Sequence, residues 1–511
     1  MLSEFRSLAI ISPELMLFAT AILTLLADIS SRAKATARGR DGHEISSYET
    51  RPRLVAAVAL LGLAAALLLS FRTFSFAPTE VFSRALSIDP VSQFFKTLLI
   101  FAGIITVMQG SMSHEIHRTE KAELHALLVL GTLGMCIMTS AVHFLLLFLA
   151  YEMVGITGYV LAAFKRRSGL SSEAGVKLFV HGALTTILFA IGIVMLYGIG
   201  KSFNILDIRG QLTSGAVPTG YLWVAFGLIF IALAGRLAVF PFHFLAPDII
   251  EGSPSPVSAY FCVSSTIAAM AFALRLCIHI FSAKGDLKWI HLQNFEWPEL
   301  STGVAAVTMT IGNLTALYQT NLKRLIGYSC IAQIGYILMG IPVLTHAGIA
   351  AVLFSLATYG IVTLGTFFVI QMVTDHAGSE KLSILRGLVW RNPYEGVALC
   401  IFLLSLAGLP PLVGFVGRFY ILGVVVREKL YWLSIVAAIN WVLGLTYYLS
   451  MIRQIFASHS LSAGERSPSV MEANPVAQFT LAILLLPTIV LGIYWDPLMN
   501  YITRSLGAVA W

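Results

Sequence analysis

The sequence has 511 residues, of which 57% are hydrophobic and 12% charged, about half the charge of an ordinary soluble protein. At a mean hydropathy of +0.83 there is too little polar surface to cover a globule, which excludes a disordered chain, a nucleic-acid-binding domain and a disulfide-rich secreted scaffold. The net charge of +7 then reads as basic loops that orient a membrane protein, not as a nucleic-acid footprint.

The opening stretch MLSEFRSLAIISPELMLFATAILTLLADI lacks the basic start and small-residue cleavage site of a signal peptide, and its apolar run is long enough to span. It is the first of fourteen such runs. They fall near 8–28, 54–76, 88–110, 122–139, 141–164, 174–199, 219–240, 255–281, 301–319, 324–343, 346–375, 394–425, 431–456 and 475–496. Only Ala141 and His143 divide the fourth from the fifth, so that boundary is the weakest. The predicted fold is an all-α polytopic membrane protein, one domain over 1–511. Its main bundle covers about 120–460, with flanking helices at 8–110 and 475–496. Basic residues gather in alternate loops, at Arg32–Arg53, Arg118 and Lys121, Lys165–Arg167, Lys323 and Arg324, and Lys381–Arg391. The positive-inside rule makes those loops cytoplasmic and turns both termini outward.

Two runs carry breaks that a plain anchor does not need. One is LAGRLAVFPFHFLAPDIIEGSPSPVSAY at 233–260, interrupted by Pro241; the other is SLAGLPPLVGFVGRFY at 405–420, interrupted by Pro410 and Pro411. Both start from L-A-G and both hold an arginine near the proline, Arg236 and Arg418. Proline removes a backbone donor, and freed backbone groups at membrane depth must be buried in protein or line a wet cavity. Such breaks in corresponding halves fit inverted repeats around an ion path, here two inverted five-helix repeats; the plainer alternative is a kink used for packing.

Glu152 is a lone carboxylate in mid-span, and its partner must come from another helix. Burial and pairing tune such a group over a wide range, which suits a proton path. Lys177 lies near the start of its run and either snorkels or joins that path. For Lys96 and Arg275, nearer the outer ends, snorkelling is expected. His143, His181 and His243 are candidate relays, with His243 favoured because it follows the break. Asp248 is expected to cap the next loop or helix. The five cysteines, Cys136, Cys262, Cys277, Cys330 and Cys400, are far apart with no C-x-x-C. With no nucleotide loop either, the chain is expected to carry no redox cofactor or metal of its own.

The segments AGRLAVFPFHFLAPDIIEGSPSPVSAYF, NLTALYQTNLKRLIGYSCIAQIGYILMGI and SLAGLPPLVGFVGRFYIL, with Pro13–Glu14 near the start, resemble the antiporter-like membrane subunits of respiratory complex I. The similarity runs from about residue 10 to 496, and the wording PDIIEGSPSPV fits the subunit N branch better than the longer L and M branches. The resemblance implies a bacterial plasma-membrane subunit that turns NADH–quinone electron transfer into proton movement. NAD, FMN, iron–sulfur clusters and quinone would then sit in partner subunits. It also implies a path built from a fifth-helix glutamate paired with a seventh-helix lysine, and lysines in the sixth, eighth and twelfth helices. Glu152 and Lys177 match that pattern. Arg236, Thr266 and Arg418 stand where the other three lysines are expected, and Gln333 where histidine is common. A guanidinium keeps its proton where a buried lysine can lose it. Two other readings therefore stay open: a non-conducting structural subunit of the same arm, and a subunit of a related cation/proton antiporter or membrane-bound hydrogenase.

Overall fold

The computed structural model describes residues 8–36, 52–74, 78–212, 218–281, 297–457, 471 and 474–507. The described residues are helical almost throughout, because a bilayer offers backbone groups no partner outside the helix. In chain order the long helices are α1 (Ser12–Thr36), α2 (Pro52–Thr73), α3 (Pro90–Met112), α4 (Lys121–Ser140), α5 (Phe144–Ala162), α6 (Gly169–Gly200) and α7 (Thr219–Leu237). After a break come α8 (Ser255–Phe281), α9 (Trp297–Ala316), α10 (Leu322–Leu338), α11 (His346–Ala377), α12 (Pro393–Ala407) and α13 (Val413–Arg427). The chain closes with α14 (Tyr431–Phe456), α15 (Pro475–Ile493) and the short α16 (Asp496–Gly507).

Each of the fourteen apolar runs falls on a helix, the twelfth on the pair α12 and α13. Among the described residues, eleven helical stretches are long and apolar enough to cross a membrane. Outside that number are α9, α10, and the short α12 and α13. The centre and edge of the bundle differ sharply: the apolar window of α8 is 94% buried and that of α11 89%, whereas that of α6 is 22% buried. A helix apolar on all sides is a core helix when protein surrounds it and a lipid- or partner-facing one when it does not.

Local chemistry sets the boundaries. Asp89 caps α3: its carboxylate takes the Ser92 amide at 2.7 Å, Ser92 Oγ takes the Asp89 amide, and Pro90 occupies the first turn. Asn321 caps α10 through the amides of Lys323 and Arg324, and Thr345 caps α11. The narrow α4–α5 boundary is fixed by backbone bonds. Val142 N donates to Ala85 O, Ile205 N to Val142 O and Phe144 N to Phe203 O, beside the hairpin of β1 (Thr79–Val81) and β2 (Leu86–Ile88).

Two buried ion pairs correct the snorkelling expectation. Lys96 is wholly buried on α3, and its ammonium meets the Glu14 carboxylate of α1. Arg275 on α8 reaches Asp89 at 3.0 Å, gives Nε to Thr139 O at 2.8 Å and lies 3.2 Å from His279 Nε2. Each cation has found a partner distant in sequence, so neither needs the surface.

Both breaks use one backbone device. Helix α7 ends on Ala238 in the left-handed region (φ 53°), with Val239 N bonded five residues back to Ala234 O. Helix α12 ends on Gly408 (φ 76°), with Leu409 N bonded five residues back to Leu404 O. A cis proline follows each cap three residues on, Pro241 and Pro411. These are matching Schellman ends. The equivalence is therefore Ala238 with Gly408, and the shared L-A-G is out of step by one turn. Gly235 lies inside α7, where a Cβ would come 2.7 Å from His181; Gly408 is the cap itself.

Candidate functional site

At the first break, three helices bring titratable groups together. Glu152, half-buried on α5, takes a hydrogen bond from the Thr186 hydroxyl of α6. Its partner does come from another helix, as its apolar neighbours required. Arg236, in the last turn of α7, gives Nη2 to the Tyr151 carbonyl at 2.7 Å and lies over the Tyr151 ring at 4.3 Å. A Cβ on Gly155 would lie 3.0 Å from that guanidinium. Arg236 thus rests on the α5 turn that carries Glu152, on the adjacent face. No ion pair joins the two among the described residues. Here the carboxylate is held by Thr186 beside a cation held by the Tyr151 backbone. The Tyr159 phenol closes the group against α6, where Gly182 leaves it room. His181, beside Gly235, has a buried Nε2 with no protein partner.

The other expected residues are spread out. Lys177 lies two turns into α6 and pairs with Glu173 at 2.6 Å and Asp248 at 2.7 Å. Asp248 makes no cap; it bridges Lys177 and Arg324, the latter at 2.7 Å. His243 sits in the 3-10 turn after the break, against the rings of Phe240 and Phe244. Thr266 is buried in α8, directly after a π turn at Phe261–Ser265.

Arg418 forms the second group. It is buried on α13 and donates to the carbonyls of Ala407 (2.9 Å) and Leu406, the last of α12. Gln333 Nε2 also donates to Leu406 O, and Trp441 Nε1 to Ala407 O. Tyr336 lies under the guanidinium at 4.8 Å. These carbonyls carry the negative end of the helix dipole, which the cation neutralises. Beside it is a cavity of about 30 Å³, bordered by Gln333, Ser355, Thr358, Ser405 and Arg418; space of about 10–15 Å³ admits one water.

A third group was missed because its members read as loop charges. Lys323 is wholly buried and pairs with Glu380 at 2.9 Å and Glu115 at 3.8 Å, and donates to Ser253 O. Glu115 also meets Lys165 at 3.1 Å and the Ser255 hydroxyl. Arg324 holds Glu251 at 2.8 Å as well as Asp248. Burial alone would raise the Glu115 carboxyl; Lys323, Lys165 and the Ser255 bond outweigh it and hold it below the usual range. The stability it contributes is present at neutral pH and lost as pH falls through that lowered value. The basic residues that pointed to a cytoplasmic side thus neutralise acids from three connecting segments at one end of the bundle. Among the described residues no group of three or more His, Cys, Asp or Glu side chains is placed to hold a metal ion, and all five cysteines are buried and free.

Residues 141–444 match the family model described as NADH:quinone oxidoreductase/Mrp antiporter, TM. A protein of Chloroherpeton thalassium named NADH-quinone oxidoreductase subunit N 2 is 33% identical over 465 residues, covering 89% of this chain and 90% of the relative. One of the same name from Sorangium cellulosum is 31% identical, covering 99% and 98%. Among solved structures, a chain of respiratory complex I from Thermus thermophilus superposes with a TM-score of 0.77 at 26% identity, covering 96% and 98%. A chain of the Mrp complex from Dietzia gives 0.79 at 20% identity, covering 99% and 98%, which shows the fold alone.

Proposed function

Because the chain belongs to the NADH:quinone oxidoreductase/Mrp antiporter membrane family, we propose that it is a proton-translocating membrane subunit of an NADH–quinone oxidoreductase. It works in a bacterial plasma membrane beside the other membrane and peripheral subunits, which hold NAD, FMN, iron–sulfur clusters and quinone. The names of its relatives favour this over a stand-alone antiporter, a hydrogenase or a silent structural subunit.

The observation that carries the reading is the Glu152 group: a half-buried carboxylate on α5, held by Thr186, with Arg236 of α7 bonded to the adjacent face of α5. Arg236 hangs on the end of a broken helix, so a shift of that end changes its distance from Glu152. Approach favours the carboxylate, and withdrawal favours the carboxylic acid. Arg236 stays charged throughout; it biases the proton and never carries it. Lys177, on its Asp248 bridge, sits toward the charged end. Thr266 and the Arg418 cavity lie further along, where hydroxyls and water can pass a proton but Arg418 cannot donate one. His243 is a candidate only if the break rearranges. In this scheme all fourteen runs cross the membrane, with both termini outward.

The test is Glu152→Gln in the assembled complex in liposomes, with protons moved counted per NADH oxidised. The expected result is loss of this subunit's share while NADH–quinone reductase activity in uncoupled vesicles persists. An unchanged proton count overturns the reading.

A further inference from the structure

We propose that a water-filled polar seam runs between α3, α4 and α11, from Asp375 at the charged end of the bundle to Ser264 in the π turn of α8, and that it feeds protons to the Thr266 region. This rests on the proton-translocating reading, which by itself gives no route to Thr266.

The seam is a row of strong polar groups that the protein leaves without partners. Asp375, half-buried near the end of α11, takes the His114 amide on Oδ2 at 2.9 Å, and its Oδ1 has no protein partner. One turn deeper, Gln371 gives its Nε2 to the Gln109 carbonyl at 2.9 Å, and Gln109 gives its own to Leu364 O at 3.1 Å. Both side-chain amide oxygens are buried and unpaired. Across from them, His125 of α4 is wholly buried, and neither of its ring nitrogens has a protein partner. It lies against the Gln109–Gly110 turn: a Cβ on Gly110 would stand 3.5 Å from His125 Nε2. Farther along α11 the Thr363 hydroxyl is buried and unpaired, and so is that of Ser264. The π turn reaches this part of α11, where a Cβ on Gly360 would touch Val263 at 3.3 Å and Ile267 at 3.4 Å. Two residues past Ser264 is Thr266.

Buried polar atoms in native proteins find a partner in the protein or in ordered water. A scatter of exceptions says little. Here a run of them lines one helix seam, and an imidazole with two free nitrogens sits in its middle. Imidazole suits a relay because a proton taken at one nitrogen is matched by one released from the other, leaving the ring neutral. The seam starts at the end where Glu115, Lys165 and Lys323 hold fixed charges and stops at a π turn, whose looser backbone recurs at working sites.

Two measurements test it on the assembled complex. Hydroxyl-radical footprinting, with radicals generated by an X-ray pulse, labels buried side chains that touch bound water. His125 should be labelled on the scale of the exposed His117. His279, also buried but bonded to Arg275, is the dry reference; labelling of His125 at the His279 level overturns the seam. In liposomes, His125→Phe and Gln371→Leu should each lose the subunit's share of protons per NADH and keep uncoupled quinone reduction. Full proton counts in both variants overturn the route. If a variant fails to assemble, the footprint of the unaltered complex decides. If Glu152→Gln leaves pumping intact while His125 is labelled, the seam stands and the Glu152 reading falls.

Discussion

The two breaks share a backbone and differ in what their arginines hold. Arg418 turns back on its own broken segment, bonding the last carbonyls of α12, where Gln333 and Trp441 already donate. Arg236 reaches away from its helix to the Tyr151 carbonyl of α5, the helix that carries the carboxylate. The second break is a charge fixed to a saturated helix end beside a small cavity. The first is a charge strung between two helices next to a titratable group. In the proposed scheme the same Schellman end thus serves as a lock at one break and a lever at the other.

The sharpest attack on this contrast is Arg418→Leu. It removes two bonds from a cation, each contributing about 1.5–3 kcal/mol, and a cation–π contact besides. The complex should lose thermal stability or shed the subunit, read as a fall in its melting temperature. A stable, fully pumping Arg418→Leu complex would show that the second break is no lock. Arg236→Leu should act the other way round: half-buried and singly bonded, it should cost less stability and more of the proton count. The ratio of the two losses, compared between the variants, measures how far lock and lever differ.

The caps give the smallest effects. Gly408→Ala places a Cβ at positive φ, 2.8 Å from Trp441 Nε1 and 3.0 Å from Arg418 Nη1, and should cost about 1–2 kcal/mol from the backbone alone. Ala238 already bears that strain, so Ala238→Gly should raise the melting temperature slightly, by an amount equivalent to roughly 1 kcal/mol or less. Shifts of opposite sign, the loss at Gly408 exceeding the gain at Ala238, would confirm that the two ends are one device.

Helices were legible because the bilayer forces length and apolarity onto every span; each apolar run became a helix. Partners were not, because an ion pair is a fact of three dimensions. Arg275 and Asp89 are 186 residues apart, and nothing near Arg275 in the chain announces the acid, so snorkelling was the natural expectation. Glu14 hid Lys96 in the same way. Identical letters also misled: L-A-G occurs at both breaks, but only the second glycine takes the positive φ. Lys323 and Arg324 looked like topology markers, and their burial against Glu115, Glu380, Glu251 and Asp248 needed loops that are remote in sequence to meet.

The turn between α4 and α5 gains a meaning from this. Val142 is tied by backbone bonds to Ala85 on one side and to Ile205 on the other, and Phe144, the first residue of α5, to Phe203. The start of α5 is therefore clamped like the root of a cantilever. Deflection of α5 must grow with distance from that root, and Glu152 stands eight residues along it. Any stroke arriving from a neighbouring subunit would reach the carboxylate as a swing about this anchored end, with the hairpin acting as the bearing.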